Sequence, residues 1–215
     1  CLSPDLKLVL DLGFHAPCDS LLTAEQLKEP EKTYPLRLVY CNNCSLSQID
    51  YVVPPEVLFY KEYPYLSAIT ENLKNNLMAI SDKLVDILNL KPNDLVIDIG
   101  SNDGTILQGF KNKGIRVLGV EPTNIANLAI QNGIDTINEF FNEEVSQKIQ
   151  HSYGKASLII GANVFAHVAR LGSMLRGINL LLEENGIFLN ESHYLMDILD
   201  TVQYDSIYHE HLRFY

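Results

Sequence analysis

No stretch of this 215-residue chain gathers lysine or arginine into a basic run, and the formal net charge is −11. Nucleic acid and anionic membrane surfaces both demand a basic face, so neither is expected as the main partner. No apolar segment approaches the roughly 20 residues of a membrane span, and no signal peptide opens the chain. A cytoplasmic protein is the expectation. Cysteine is scarce too. There are four, Cys1, Cys18, Cys41 and Cys44, all ahead of residue 45, and in a cytosolic chain a disulfide framework is disfavoured. An initiator Met is missing, and Tyr215 falls inside an aromatic, histidine-rich motif, so truncation at both ends is expected. What remains is 47% hydrophobic and 20% charged, a composition and length that support one full domain plus a small one.

The chain is organised around Leu95–Thr105, Leu-Val-Ile-Asp-Ile-Gly-Ser-Asn-Asp-Gly-Thr. Its apolar, β-branched start reads as a buried parallel strand. Gly100 and Gly104 permit a sharp turn, and Ile106, Leu107 and Phe110 then recur at helical spacing. A strand, glycine turn and helix aim backbone N–H groups and a helix N-terminus at a ligand. The dinucleotide fingerprint also lacks two of its glycines, with Asn102 at the third position and Thr105 at the sixth. The pattern Asp98-x-Gly100-x-x-x-Gly104 resembles instead motif I of the class I S-adenosylmethionine (SAM) methyltransferases. Glu121 ends the next strand 21 positions after Gly100, where a carboxylate grips a ribose diol.

Short β-like runs at 6–12 and 36–40 accompany the cysteines. The second leads into Cys41-Asn-Asn-Cys44, a strand-end knuckle suited to tetrahedral zinc, with Cys1 as a third thiolate. The fourth ligand is open between Cys18, His15 and a residue upstream. From 67 to 90 the period is helical, with Ile69, Leu73, Leu77, Ile80, Leu84 and Ile87 on one stripe. Beyond Glu121 helices at 125–130, 143–149 and 171–182 alternate with strands at 135–137, 156–161 and 186–190. This predicts an α/β, doubly wound parallel sheet. Gly100, Glu121, Asn163, His167 and Glu191 all fall at or just past strand ends, where such sheets bind ligands. The last stretch, Tyr208-His209-Glu210-His211, offers imidazoles, a carboxylate and a phenol for general base, orienting acid and enolate stabiliser.

Taken with Tyr63-Pro-Tyr65-Leu-Ser67, Asn163-Val-Phe-Ala-His167 and Glu191-Ser-His-Tyr194, these motifs resemble, over essentially the whole chain, the SAM-dependent C-methyltransferases of nucleotide-linked 4-keto-deoxyhexoses. The resemblance implies a Rossmann-like class I methyltransferase with a small N-terminal zinc-binding β module. The expected organisation is a cysteine module over 1–62, a linker and amphipathic helix over 63–90, and a SAM-binding core over 91–215. It departs in two places: Cys1 looks like the second member of the family's opening Cys-x-x-Cys, and the family's further C-terminal domain is absent.

The chemistry implied is removal of a C3 proton acidified by the 4-keto group, then attack of the enolate carbon on the sulfonium methyl. His211 is the expected base and Glu210 its holder, with Tyr208 and His167 donating to the enolate oxygen or a sugar hydroxyl. Asp98, Gly100, Asn102, Gly104, Glu121, Asn163 and Tyr63 are assigned to SAM, and Tyr65, Glu191, His193 and His209 to the sugar. Zinc on Cys1, Cys41 and Cys44 is structural. Nothing in the sequence sets the oligomeric state, and a monomer is compatible with it. O- or N-methylation of another small metabolite, and a non-catalytic zinc- and SAM-binding module, are the alternative readings.

Overall fold

The computed structural model describes residues 1–59 and 63–215; the 62/63 boundary expected from the sequence lies outside the described residues. Strands β1 (Leu6–His15), β2 (Tyr34–Cys41) and β3 (Ser47–Ile49) come first, followed by a single helical turn, α1 (Pro55–Leu58). Then come α2 (Glu71–Leu88), β4 (Leu95–Ile99), α3 (Thr105–Asn112), β5 (Arg116–Val120), α4 (Ala126–Gln131) and β6 (Thr136–Ile137). The remainder is α5 (Glu143–Tyr153), β7 (Ala156–Ala162), α6 (Leu171–Leu181), β8 (Leu182–Glu191), α7 (Leu195–Asp200) and β9 (Arg213–Phe214). Among the described residues no helix is long and apolar enough to cross a membrane. By contact the chain forms two compact units, one of residues 1–59, 165–169 and 192–215, the other of 60–164 and 170–191.

The larger unit holds a five-stranded, all-parallel sheet in the order β6-β5-β4-β7-β8. All five residues of β4 are buried, as happens only when both faces of a parallel sheet are covered. That explains the unbroken apolar run, with Asp98 its one polar member. The strand order reverses between β4 and β7, and this switch point is where open α/β sheets take their ligands.

Two helix pairs close on a serine set against a glycine. A Cβ on Gly109 of α3 would lie 1.7 Å from Ser81 Oγ of α2, and one on Gly177 of α6 would lie 2.3 Å from Ser146 Oγ of α5. Both hydroxyls are turned back onto carbonyls of their own helices, Met78 and Asn142, so the close approach leaves no polar atom unmatched.

α2 starts at Glu71, later than the period predicted, because the Thr70 hydroxyl caps it by accepting the Leu73 N–H. Its packed stripe is Leu77, Ile80, Leu84, Val85 and Leu88. Ile69 and Ile87 of the predicted stripe are instead exposed. β8 begins at Leu182, ahead of the predicted Asn185-Gly186 break, and a register irregularity against β7 absorbs the extra residues.

The smaller unit is an antiparallel sheet in the order β1-β2-β3-β9. β1 is broken by two register shifts, the second next to Gly13. Leu36, Ile49, Ile198, Ile207, Leu212 and Phe214 form its core. Its three chain pieces are stitched by backbone bonds: Ser47 and Gln48 pair with Phe214 and Arg213, and the Leu212 N–H donates to Ala166 O at 3.0 Å. Residues 165–169 and 192–215 follow core strands in sequence yet belong by contact with residues 1–59. Neither β9 nor α7 is foreshadowed by any periodicity in the sequence.

Candidate functional site

In the larger unit β4 delivers the chain to a turn that only a small residue can make. Gly100 has φ +71°, and a Cβ there would sit 2.4 Å from Val164 Cγ2. Gly104 (φ +79°) then launches α3. Glu121, at the end of β5, is buried and bonded at both oxygens, Oε2 accepting the Asn102 N–H at 3.0 Å and Oε1 the Thr123 N–H at 2.8 Å. Each carboxylate oxygen has a second lone pair left for a hydroxyl.

Asp98 is buried, and among the described residues its Oδ1 has no hydrogen-bond partner. Burial, reinforced by the charge on Glu121, pushes its carboxyl well above the usual range. No described cation pairs with either acid. A cradle with the Glu121 carboxylate, the orphaned Asp98 oxygen and bare glycine backbone fits a nucleoside ligand and disfavours a pyrophosphate.

Asn163 and Glu191 meet at the ends of β7 and β8. The Asn163 N–H donates to Glu191 O at 2.9 Å and its Nδ2 to Glu191 Oε1 at 3.2 Å, with Asn163 at φ +55°. Tyr63 is half-buried and Tyr65 is exposed. The Asn102 side chain faces Tyr65 and Ser67.

The smaller unit gathers the terminal motif into an imidazole cluster, and it is no surface turn: His209, Glu210 and His211 are each at most 4% exposed. His211 Nδ1 lies 2.8 Å from Ser206 O, a pure acceptor, so that nitrogen carries the proton. Nε2 therefore holds the lone pair, and the Tyr208 hydroxyl donates to it at 2.8 Å. His193 packs on His211 with ring centroids 4.1 Å apart, and His167 crosses it edge-on at 5.0 Å.

The sequence led us to expect Glu210 to hold His211. Instead Glu210 faces His167, with Oε2 3.8 Å from Nδ1, and the Ser206 carbonyl orients His211. Adjacent residues in a non-helical segment project apart, which separates the two side chains. His209 stands aside from the cluster, at 3.3 Å from Tyr34 O and edge-on to the Tyr34 ring. Phe59, which packs on His167 with centroids 5.8 Å apart, and the Ser206 carbonyl carry no sequence signal that would have found them.

Burial, then the charge of neighbouring imidazoles, brings His167 down to about 3; burial, opposed by the Ser206 carbonyl, brings His211 down to about 4. Unfolded, both would take up protons near the usual imidazole value. The unfolded state thus binds more protons below pH 6.5, and stability falls with pH through the window from about 6.5 to about 4 for His211 and on to about 3 for His167. Urea unfolding is expected to show about 2–4 kcal/mol less stability at pH 5 than at pH 7, and a flat profile would contradict the two depressed rings.

Cys1, Cys41 and Cys44 bring their sulfurs within 4.8 Å of one another, with Cys1 and Cys41 at 3.9 Å. Zinc–sulfur bonds of about 2.3 Å at tetrahedral angles place sulfurs about 3.8 Å apart, so the three fit one ion. N–H groups of the Cys41–Cys44 knuckle pull the Cys41 thiol below its ordinary value. Neither of the two proposed fourth ligands within the chain lies with the trio. Leu6 pairs with Cys41 but His15 pairs with Tyr34, seven residues or about 23 Å from Cys41 along β2. Cys18 lies near Asp19 and Glu210 instead, where burial and then the Glu210 charge push its thiol up to about 12. Metal analysis is expected to give one zinc per chain, with Cys41→Ser cutting it to under about a tenth and lowering the melting temperature. Unchanged zinc in that variant would displace the site.

Residues 1–59 match a family model for a zinc-binding domain of methyltransferases, and residues 69–215 match a methyltransferase-domain model. The chain is 33% identical over 216 residues to C-methyltransferase NovU of Streptomyces niveus, covering all of this chain and 51% of that protein. It thus spans about half the length of the curated relative. Among solved structures, the PH0226 protein of Pyrococcus horikoshii OT3 superposes with a TM-score of 0.51 at 14% identity, over 67% of this chain and 70% of that one. A SAM-dependent methyltransferase of Anabaena variabilis gives 0.47 at 18% identity, over 60% and 58%.

Proposed function

The chain belongs to the methyltransferase-domain family, and from that premise we propose that it helps transfer a methyl group from SAM to C3 of a nucleotide-linked 4-keto-deoxy sugar. The observation that carries this reading is the His211 tautomer. Methylating carbon requires that a C–H proton be taken first, and a neutral imidazole with its proton fixed toward Ser206 O keeps Nε2 unprotonated at neutral pH. The name of the curated relative, a C-methyltransferase, supports the same bond type.

SAM, when bound, supplies an electrophilic methyl on positively charged sulfur. For it the larger unit offers the Gly100–Gly104 turn, the backbone N–H groups around Asn102, the Glu121 carboxylate for the ribose, and Asp98, Asn163 and Tyr63. Tyr65, Glu191 and His193 serve the sugar, and His209, bonded to Tyr34 O, serves it by holding the segment between Tyr208 and His211 in place. The C3 proton is deposited on His211 Nε2 as the C3–H bond breaks. The Tyr208 hydroxyl turns from that nitrogen to the enolate oxygen, and His167, backed by Glu210, donates alongside it. The enolate carbon then forms the new C–C bond while the sulfur–methyl bond breaks. Zinc on the three cysteines is structural, and free thiols serving a metal suit a cytoplasmic location.

The test is hydrogen–deuterium exchange at C3 of a nucleoside-diphosphate 4-keto-6-deoxyhexose in D2O, followed by NMR. Loss of the C3 proton signal supports carbon-acid chemistry. Methyl transfer to an oxygen or nitrogen acceptor with no exchange would replace it with heteroatom methylation.

A further inference from the structure

Asn102 occupies the third position after the strand, where a dinucleotide fold would have glycine and where a direct ligand contact was expected. Its side chain is already committed. Oδ1 accepts the Ser67 N–H at 2.8 Å and Nδ2 donates to Tyr65 O at 3.0 Å. Asp103 beside it is equally engaged: Oδ2 accepts the Ala68 N–H at 2.8 Å, while Oδ1 accepts from the Thr105 N–H and hydroxyl at 3.1 and 2.7 Å. Both residues are buried, Asn102 at 7% exposed and Asp103 at 4%.

The backbone of Asn102 points the other way, its N–H donating to Glu121 Oε2 at 3.0 Å. One residue therefore touches the ribose-gripping acid through its backbone and the 65–67 segment through its amide. It can do both because it sits at φ +51°, a left-handed conformation that asparagine tolerates and most residues resist.

We infer that Asn102, assisted by Asp103, is a positioning residue that pegs residues 65–68 to the cofactor turn, so that ribose binding at Glu121 and the seating of Tyr65 are a single coupled event. This rests on the SAM-binding reading above and deepens it. A ligand at Glu121 tightens the Asn102 backbone, and the amide carries that order to the segment bearing Tyr65. Tyr65, itself 48% exposed and assigned to the sugar above, then also covers the nucleoside on its other side instead of sampling solvent.

Asn102→Gly tests it, because glycine adopts the left-handed backbone without strain and deletes only the amide. In the ligand-free chain, exchange of the Ser67 amide measured by NMR is expected to speed up about tenfold. S-adenosylhomocysteine, the demethylated form of SAM, is the binding probe, read by calorimetry. Tyr65→Ala is expected to weaken it about fivefold to tenfold in the parent chain, and to add nothing in the Asn102→Gly background. Additive losses, no loss from Tyr65→Ala in the parent chain, or an unchanged Ser67 amide would each overturn the peg. A parent chain that fails to bind the probe would overturn the SAM reading instead, and the ligand-free Ser67 exchange would still decide the peg.

Discussion

His211→Asn is expected to lower C3 exchange by at least about a hundredfold while SAM affinity stays within about twofold. The choice of asparagine follows from the geometry. Its Nδ2 reaches about as far as Nδ1 of the ring and can still donate to Ser206 O, which holds the histidine at 2.8 Å. Nothing replaces Nε2, the atom to which Tyr208 donates at 2.8 Å. The variant therefore keeps the anchor and loses the proposed base. Because burial holds His211 down to about 4, the acidic limb of the parent exchange profile should lie near pH 4 rather than at the usual imidazole value. Tyr208→Phe should cost less than His211→Asn, since it removes the proposed donor to the enolate oxygen and leaves the lone pair. Exchange that survives His211→Asn would pass the role of base to Tyr208 or His167.

Glu121→Ala should weaken SAM binding by about a hundredfold or more. A carboxylate accepting from ribose hydroxyls makes charge-assisted bonds, each about 1.5–3 kcal/mol, and two of them correspond to a factor of that order. The same substitution strips the acceptor from two buried N–H groups, those of Asn102 and Thr123, for a stability loss of about 2–4 kcal/mol. Glu121→Gln separates the two effects: it preserves the side-chain volume and one acceptor, so the fold should suffer less than the affinity. Removing the charge should also let Asp98 fall back toward the ordinary carboxylate range, because Glu121 contributes to holding it up. An unchanged SAM affinity in a folded Glu121→Ala chain would remove the ribose from this acid.

Most of the parallel sheet was legible because its signals are local. The β4 run, Gly100 and Gly104, and the Glu121 that ends β5 lie within about 30 residues, where apolar periodicity and turn chemistry speak directly. The cysteine trio was legible for the same reason at Cys41 and Cys44. What could not be read is long-range or carried by backbone. β9 is two residues long and pairs with β3 across more than 160 positions of sequence, a match that no pattern announces. His15 and Cys18 looked adequate as zinc ligands, but register places His15 at the far end of the hairpin from Cys41 and Cys18 lies with Asp19 and Glu210. Glu210 looked like the partner of His211 because they are neighbours in sequence, yet a main-chain carbonyl took that place, and carbonyls carry no side-chain signature. Ile69 and Ile87 obeyed the helical period and still faced solvent, since periodicity marks an apolar stripe without saying how far the partner surface extends.

The three-piece make-up of the smaller unit bears on how the protein is born. A ribosome has made the whole parallel sheet, glycine turn included, by the time Glu191 is added, and that sheet needs nothing later for its strand pairing. The imidazole cluster cannot exist until residues 192–215 emerge, and β9 pairs there with a strand synthesised more than 160 residues earlier. On the roles proposed above, nascent chains halted before that point should hold the glycine turn and Glu121 without the proposed base His211, so the proposed binding elements are made before the proposed reacting ones.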